Sequence, residues 1–441
     1  GQTVMMMPKV LPLLLLLAPT LPFVAFSPPP QRRRGGPSFG PLFASTTTET
    51  TETRPQKTTQ TPTPKFLGFL ALDAAGVATV ERRLQGRELD VARAAANCEK
   101  LSRFFGLTES ELATIVRRFP QFLGHFFDEG AEPCLRALQD RLDLSRAELK
   151  TVVLRLPPLL CYGYVGKVAP TLAALQLRLN LSDAELKRLV LVAANVLGLS
   201  YPWNVRPSLA GLQARLNVTD AELKRLVLGA PSLLGYRFAG TVAPKIDWLQ
   251  RRANLTDAEL KKVLLKAPLV LATSVHGNLE PKIQWLEKRL SLTPRDLTRL
   301  VVRLPTFLGL SLRDNLQPSL AALQDRLDLT DADLRRLVVA NPPVLGYSFQ
   351  RNVQPKLTYL QDTLHWSDDQ LRDAIVRNSV LLGYSLEKRY KPRFALCDAQ
   401  GEPPHLVIKT AALSHDSFLA YLEKQERKKK QKNDEKSLSP L

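Results

Sequence analysis

The chain has 441 residues, a formal charge of +19, four cysteines and five histidines. That length could hold two or three ordinary domains, and the basic excess points to a polyanionic partner. Cys98, Cys134, Cys161 and Cys397 form no CxxC pair, and His125, His276, His365, His405 and His415 lack metal-ligand spacing. A zinc site and a disulfide framework are therefore not indicated. No phosphate-binding glycine loop occurs, so the reading is non-enzymatic, with no cofactor, metal or small-molecule substrate.

In chain order, residues 10–26 are apolar but broken by Pro12, Pro19 and Pro22, with Lys9 before them. The stretch is too short and too interrupted for a stable membrane span and reads as a signal core. Arg32, Arg33 and Arg34 follow in a segment rich in Ser, Thr and Pro with no acid until Glu49, which is transit-peptide composition. The junction Ala25, Phe26, Ser27, Pro28 resembles the cleavage site of two-part presequences imported into plastids of secondary origin in algae. This favours a plastid, with the mitochondrion as the alternative. Residues 46–64 read as a disordered linker, so 1–65 forms a targeting presequence and linker. Residues 66–107, ending in Phe104, Phe105 and Leu107, are expected to form a degenerate or capping helical repeat.

A strict 37-residue repeat comes next. Thr108, Ser145, Ser182, Thr219, Thr256, Thr293, Thr330 and Ser367 each open a segment with an acid or amide three residues later and a leucine after it. Taking the hydroxyl residue as position 0, this is the signature of a capped helix start. Apolar residues at positions 4, 7, 8 and 11, such as Leu223, Leu226, Val227 and Ala230, mark one helical face. Proline at position 12 in six units should end that first helix. A short leucine-glycine connector follows, as in Leu234, Gly235 and Tyr236, and is expected to be a turn or a single helical coil. Proline recurs at position 25 in all eight units, with Asn204, Asn278, Asn315 and Asn352 three residues earlier as expected caps. A second helix then buries positions 27, 30 and 34, for example Leu320, Leu323 and Leu327. The expected fold is an all-α solenoid of about eight helix–connector–helix units over 108–397, with 398–441 as a C-terminal extension.

Capped first helix, proline, leucine-glycine, then the spacing of Asn278, Pro281, Lys282 and Leu286 resembles the mitochondrial transcription termination factor (mTERF) family over about 290 residues. The resemblance implies a curved superhelix whose inner groove binds nucleic acid. It also implies a role in organelle transcription, RNA processing or ribosome assembly.

Charge supports that partner. Residues 1–65 carry seven Lys or Arg against two acids and 398–441 eight against seven, leaving +13 on residues 66–397. Three cation sets are phased. Arg141, Arg178, Arg215, Arg252, Arg289 and Arg326 occupy position 33, and Arg118, Arg155, Lys266, Arg303 and Arg377 occupy position 10. The pairs Lys187 and Arg188, Lys224 and Arg225, Lys261 and Lys262, Arg335 and Arg336 form the third. Each cation could instead meet a helix dipole or an acid on its own helix. As an ensemble they suit the phosphates of double-stranded DNA or organellar RNA, some 20 base pairs along eight units of roughly 10 Å each. The connector tyrosines read as core packing rather than base-stacking platforms. The basic run at 427–432 reads as a solvated extension, and no oligomer is implied, so a monomer is expected. A protein-binding solenoid scaffold is the alternative function.

Overall fold

The computed structural model describes residue 72, residues 74–84 and residues 89–437, and the expected presequence lies outside them. Every regular element among the described residues is helical. In chain order, α1 (Ala74–Leu84) and α2 (Val91–Phe105) come first. Eight first helices follow: α3 (Glu109–Arg118), α5 (Arg146–Arg155), α7 (Asp183–Val192), α9 (Asp220–Gly229), α11 (Asp257–Lys266), α13 (Pro294–Arg303), α15 (Asp331–Ala340) and α17 (Asp368–Arg377). They alternate with eight second helices: α4 (Glu132–Leu142), α6 (Ala169–Leu179), α8 (Arg206–Leu216), α10 (Ala243–Arg252), α12 (Glu280–Leu290), α14 (Gln317–Leu327), α16 (Gln354–Leu364) and α18 (Lys391–Ala399). α19 (His405–Lys409) and α20 (His415–Ser437) end the chain. The architecture is an α-solenoid.

Each first helix starts where its hydroxyl residue accepts a hydrogen bond from the amide three residues on, and a reciprocal capping box closes in every repeat but one. The exception is Thr330, whose hydroxyl still accepts from the Asp333 amide. The helix stops before position 12 with or without proline there, since α7 and α17 end at the same register before Ala194 and Ser379. The leucine-glycine segment is the expected single helical coil, and a second coil follows it. The connector's first five residues form a 3₁₀ turn, such as Pro231–Gly235, and its last five a π-helical turn, such as Phe238–Val242, which runs directly into the second helix.

That continuity corrects the expected asparagine caps. A helix that grows out of a preceding turn has no free N-terminus to cap, and none of the second helices has a side-chain cap. Asn204 and Asn315 accept from the Ser200 and Ser311 amides, and Asn278 accepts from the Lys282 ammonium. Capping moves upstream to Ser274, Ser311, Ser348 and Ser385, whose hydroxyls accept from amides of the π turn.

Position 35 ends the second helix in the left-handed region in seven repeats, at Asp143, Asn180, Asn217, Asn254, Ser291, Asp328 and His365. Gly106 takes the same register after α2, with φ of 60°. So the end of α2 sits in phase with the repeats that follow, whereas α1 ends three residues later in the register than the first helices do. First helices pack side by side, the 3₁₀ turns stack on one another, and second helices lie against the connector of the next repeat. The stack buries the predicted stripes, including Leu223, Leu226, Val227, Leu320, Leu323 and Leu327. One contact shows how tight the fit is. A Cβ on Gly211 of α8 would lie 2.3 Å from the ring of Phe238 in the next repeat, so any side chain there requires the ring to move. At the C-terminal end, buried Arg393 donates to the Thr410, Leu413 and Ser414 carbonyls while Phe418 and Leu422 of α20 cover the last repeat.

Candidate nucleic-acid interface

The structure sorts the phased cations by what they touch. At position 33, Arg141 donates to Asp183 at 3.0 Å and to Gln176. Arg178 repeats this with Asp220 and Gln213, Arg289 with Asp331 and Gln324, and Arg326 with Asp368 and Gln361. Arg215 adds Asp247 to Asp257 and Gln250. Each guanidinium thus reaches the second helix of the next repeat and the first helix of the one after. The arginine bond holds the Asp183, Asp220 and Asp331 carboxyls below their usual range. The row read from the sequence as tracking phosphates is occupied by carboxylates of the protein itself.

Position 10 is engaged differently. Arg118 donates to the Leu154 and Arg155 carbonyls at 2.7 and 3.2 Å, Arg155 to the Leu191 carbonyl, and Arg303 to the Ala340 carbonyl at 3.4 Å. These acceptors are the orphan carbonyls at the end of the next first helix, the negative end of its dipole. Arg377 pairs with Asp373 at 3.3 Å, and Lys266 is exposed. No carboxylate neutralises Arg155, Lys266 or Arg303 among the described residues.

The basic pairs divide cleanly. Their first members, at position 5, are bound: Lys187 to Glu148 at 3.0 Å, Lys224 to Glu185 at 2.6 Å, Lys261 to Glu222 at 2.8 Å, Arg335 to Asp296 at 2.8 Å. The lysines also cap the left-handed residue two repeats back, as Lys224 does at the Asn180 carbonyl. Their second members, at position 6, point outward. Arg188, Arg225 and Lys262 are exposed and form no ion pair among the described residues, and Arg336 reaches only Asp333 at 3.8 Å. Arg299 continues this row between them. The sequence reading missed it because Thr298 precedes it and no basic doublet marks the site. Its phase was the available signal.

Positions 6 and 10 lie four residues apart and therefore on one face of the first helix. Lys262 with Lys266, and Arg299 with Arg303, place two cations each on that face. The tyrosines stand elsewhere and are held. Tyr162, Tyr236, Tyr347 and Tyr384 pack against the core, with Lys167, Lys245, Lys356 and Arg389 over their rings. A further cation of the family signature is buried: Lys282, 1% exposed, donates to the Leu308 carbonyl at 2.6 Å. Burial pulls its ammonium down to about 8, and that of Lys356 likewise.

A family model described as mTERF matches residues 99–404. The chain belongs to the mTERF family. Membership places it among helical-repeat proteins that bind nucleic acid in organelle gene expression and are generally non-enzymatic. No curated protein matches the chain. Burial raises the thiols of Cys98 and Cys161 to about 12 and of Cys134 to about 11, which makes them poor nucleophiles. Among the described residues no helix is long and apolar enough to cross a membrane, and no group of three His, Cys, Asp or Glu could hold a metal ion.

Proposed function

We propose that this mTERF-family protein is imported into a plastid and regulates gene expression there by holding double-stranded DNA against the exposed face of its first helices. One observation carries the reading. The cations at positions 33 and 5 are balanced by the protein's own carboxylates, whereas among the described residues four of the five at position 6, all but Arg336, and several at position 10 form no ion pair. An unbalanced row on a regular face is what a phosphate backbone would neutralise. Plastid import rests on the composition of residues 1–65, and the mitochondrion is the other destination. Transcription termination is the role the family name suggests, with organellar RNA processing as the variant that uses the same charged face.

The test is a salt titration of the full chain on a mixed-sequence duplex. Affinity should fall steeply between about 50 and 200 mM salt. Binding that ignores salt, or no binding, would end this reading. The protein-scaffold alternative draws on a different surface: Val165, Leu177 and Trp203 are 83, 86 and 84% exposed. Salt-insensitive capture of an organellar protein, lost on Trp203→Ser, would favour it.

A further inference from the structure

The position-6 row has ends. Through the eight repeats it reads Thr114, Thr151, Arg188, Arg225, Lys262, Arg299, Arg336 and Asp373. Five successive repeats present a cation there, two repeats before them present a neutral hydroxyl, and the last presents a carboxylate. All five cations are exposed. Arg336 keeps 68% of its side chain exposed beside Asp333.

We propose, building on the function above, that the protein grips duplex DNA over five repeats only, residues 182–366, through Arg188, Arg225, Lys262, Arg299 and Arg336. Stacked first helices advance by roughly 10 Å, so five of them span about 40 Å. With one duplex charge per ~1.7 Å of axis, that is about 12 base pairs, close to one helical turn. The outer positions of this face favour a duplex over a single strand. Positions 6 and 10 carry no aromatic residue in any of the eight repeats, so neither offers a ring on which unpaired bases could stack. Lys266 and Arg303 reinforce the middle of the tract from position 10. Arg118, Arg155 and Arg377 lie outside it. At its C-terminal edge Asp373 repels phosphate, and at its N-terminal edge Thr151 spends its hydroxyl on the Ala147 carbonyl.

Fluorescence polarisation of the full chain against duplexes of about 8 to 24 base pairs reads the footprint directly. Affinity should climb to about 12 base pairs and then level, with single strands of equal length binding more weakly and a log–log salt slope of about −4 to −6. Thr151→Arg with Asp373→Arg should move the plateau to about 18 base pairs and steepen the slope by about 2, since each added contact contributes about 0.9. Circular dichroism would verify that the double variant is folded. If the native chain binds duplex but its plateau lies at 20 base pairs or more, or if a folded double variant changes neither plateau nor slope, the bounded footprint is overturned while the function stands. Tighter binding of single strands would overturn the duplex assignment. If the native chain shows no salt-dependent binding at any length, the function fails and the footprint with it.

Discussion

Arg252 and Glu287 form a two-pronged pair, Nη1 donating to Oε1 at 2.9 Å and Nη2 to Oε2 at 2.5 Å, while Arg252 Nε donates to Glu280 at 3.0 Å. In the other repeats the same position of the next second helix is a glutamine, and the carboxylate comes from an aspartate at position 1 of the repeat beyond. Here position 1 is Pro294, and the glutamine has become Glu287. The arginine keeps a carboxylate by another route. This compensation identifies the position-33 ladder as a fastener between repeats.

Removing the fastener should therefore cost stability and leave binding alone. Arg252→Leu is expected to lower unfolding free energy by about 2 kcal/mol, the scale of charge-assisted hydrogen bonds at a partly buried site. Glu287→Gln combined with Pro294→Asp should stay near the native value, because it rebuilds the arrangement of the neighbouring repeats. Urea denaturation separates these outcomes, and an unchanged midpoint for Arg252→Leu would show the ladder to be idle.

Gly211 sets a steric prediction. Alanine there would press on the Phe238 ring and should cost about 1 to 3 kcal/mol by overpacking. The equivalent pairs of other repeats take either form: Ala174 meets Tyr201 and Ala322 meets Phe349, whereas Trp248 with Val275 and Trp285 with Leu312 reverse large and small. Phe238→Val should accordingly rescue Gly211→Ala in a thermal melt. Additive losses in the double variant would show that the two positions do not compensate.

Ser291 has φ of 46°, a conformation that costs most side chains about 1 to 2 kcal/mol. Ser291→Gly should stabilise the array by roughly 1 kcal/mol, whereas Asn217→Gly, starting from a residue already suited to that region, should change little. Calorimetry on the two variants checks the ordering. A lower melting temperature for Ser291→Gly would contradict it.

Lys282 and Lys356 give the fold a pH dependence. Burial lowers each from 10.5 to about 8, so between those values the unfolded chain binds more protons than the folded one. Stability should thus rise with pH from about 8 to 10, by about 1.4 kcal/mol per pH unit for each lysine. Lys282→Met should weaken the protein, because the Leu308 carbonyl loses its donor, and should halve that rise. Denaturation midpoints across this range that are parallel for native and variant chains would count against the assignment.

The fold was legible because its signals are local and repeated. Thr219 with Glu222, the proline register and the leucine stripes each specify a helix end or face without help from distant residues. The π turn and its serine caps were not legible, because the proline after Asn278 suggests a fresh helix start when the chain is already helical. The interface was half legible. Phase revealed that Arg178 and Arg225 each belong to a row, but not what each touches, since Asp220 lies 42 residues from Arg178. Only packing shows that Asp220 reaches Arg178 and that, among the described residues, no acid forms an ion pair with Arg225.

The central claim is that the position-6 row, and not the position-33 ladder, meets the nucleic acid. Salt titrations on one duplex should compare Arg188, Arg225, Lys262 and Arg299 all changed to Gln with Arg141, Arg178 and Arg326 all changed to Gln. The account predicts that the first variant, folded as the native chain, loses about 3 to 4 units of log–log slope and most of its affinity. The second should melt earlier yet keep the native slope. A native slope in the first variant, or its loss in the second, would contradict the account.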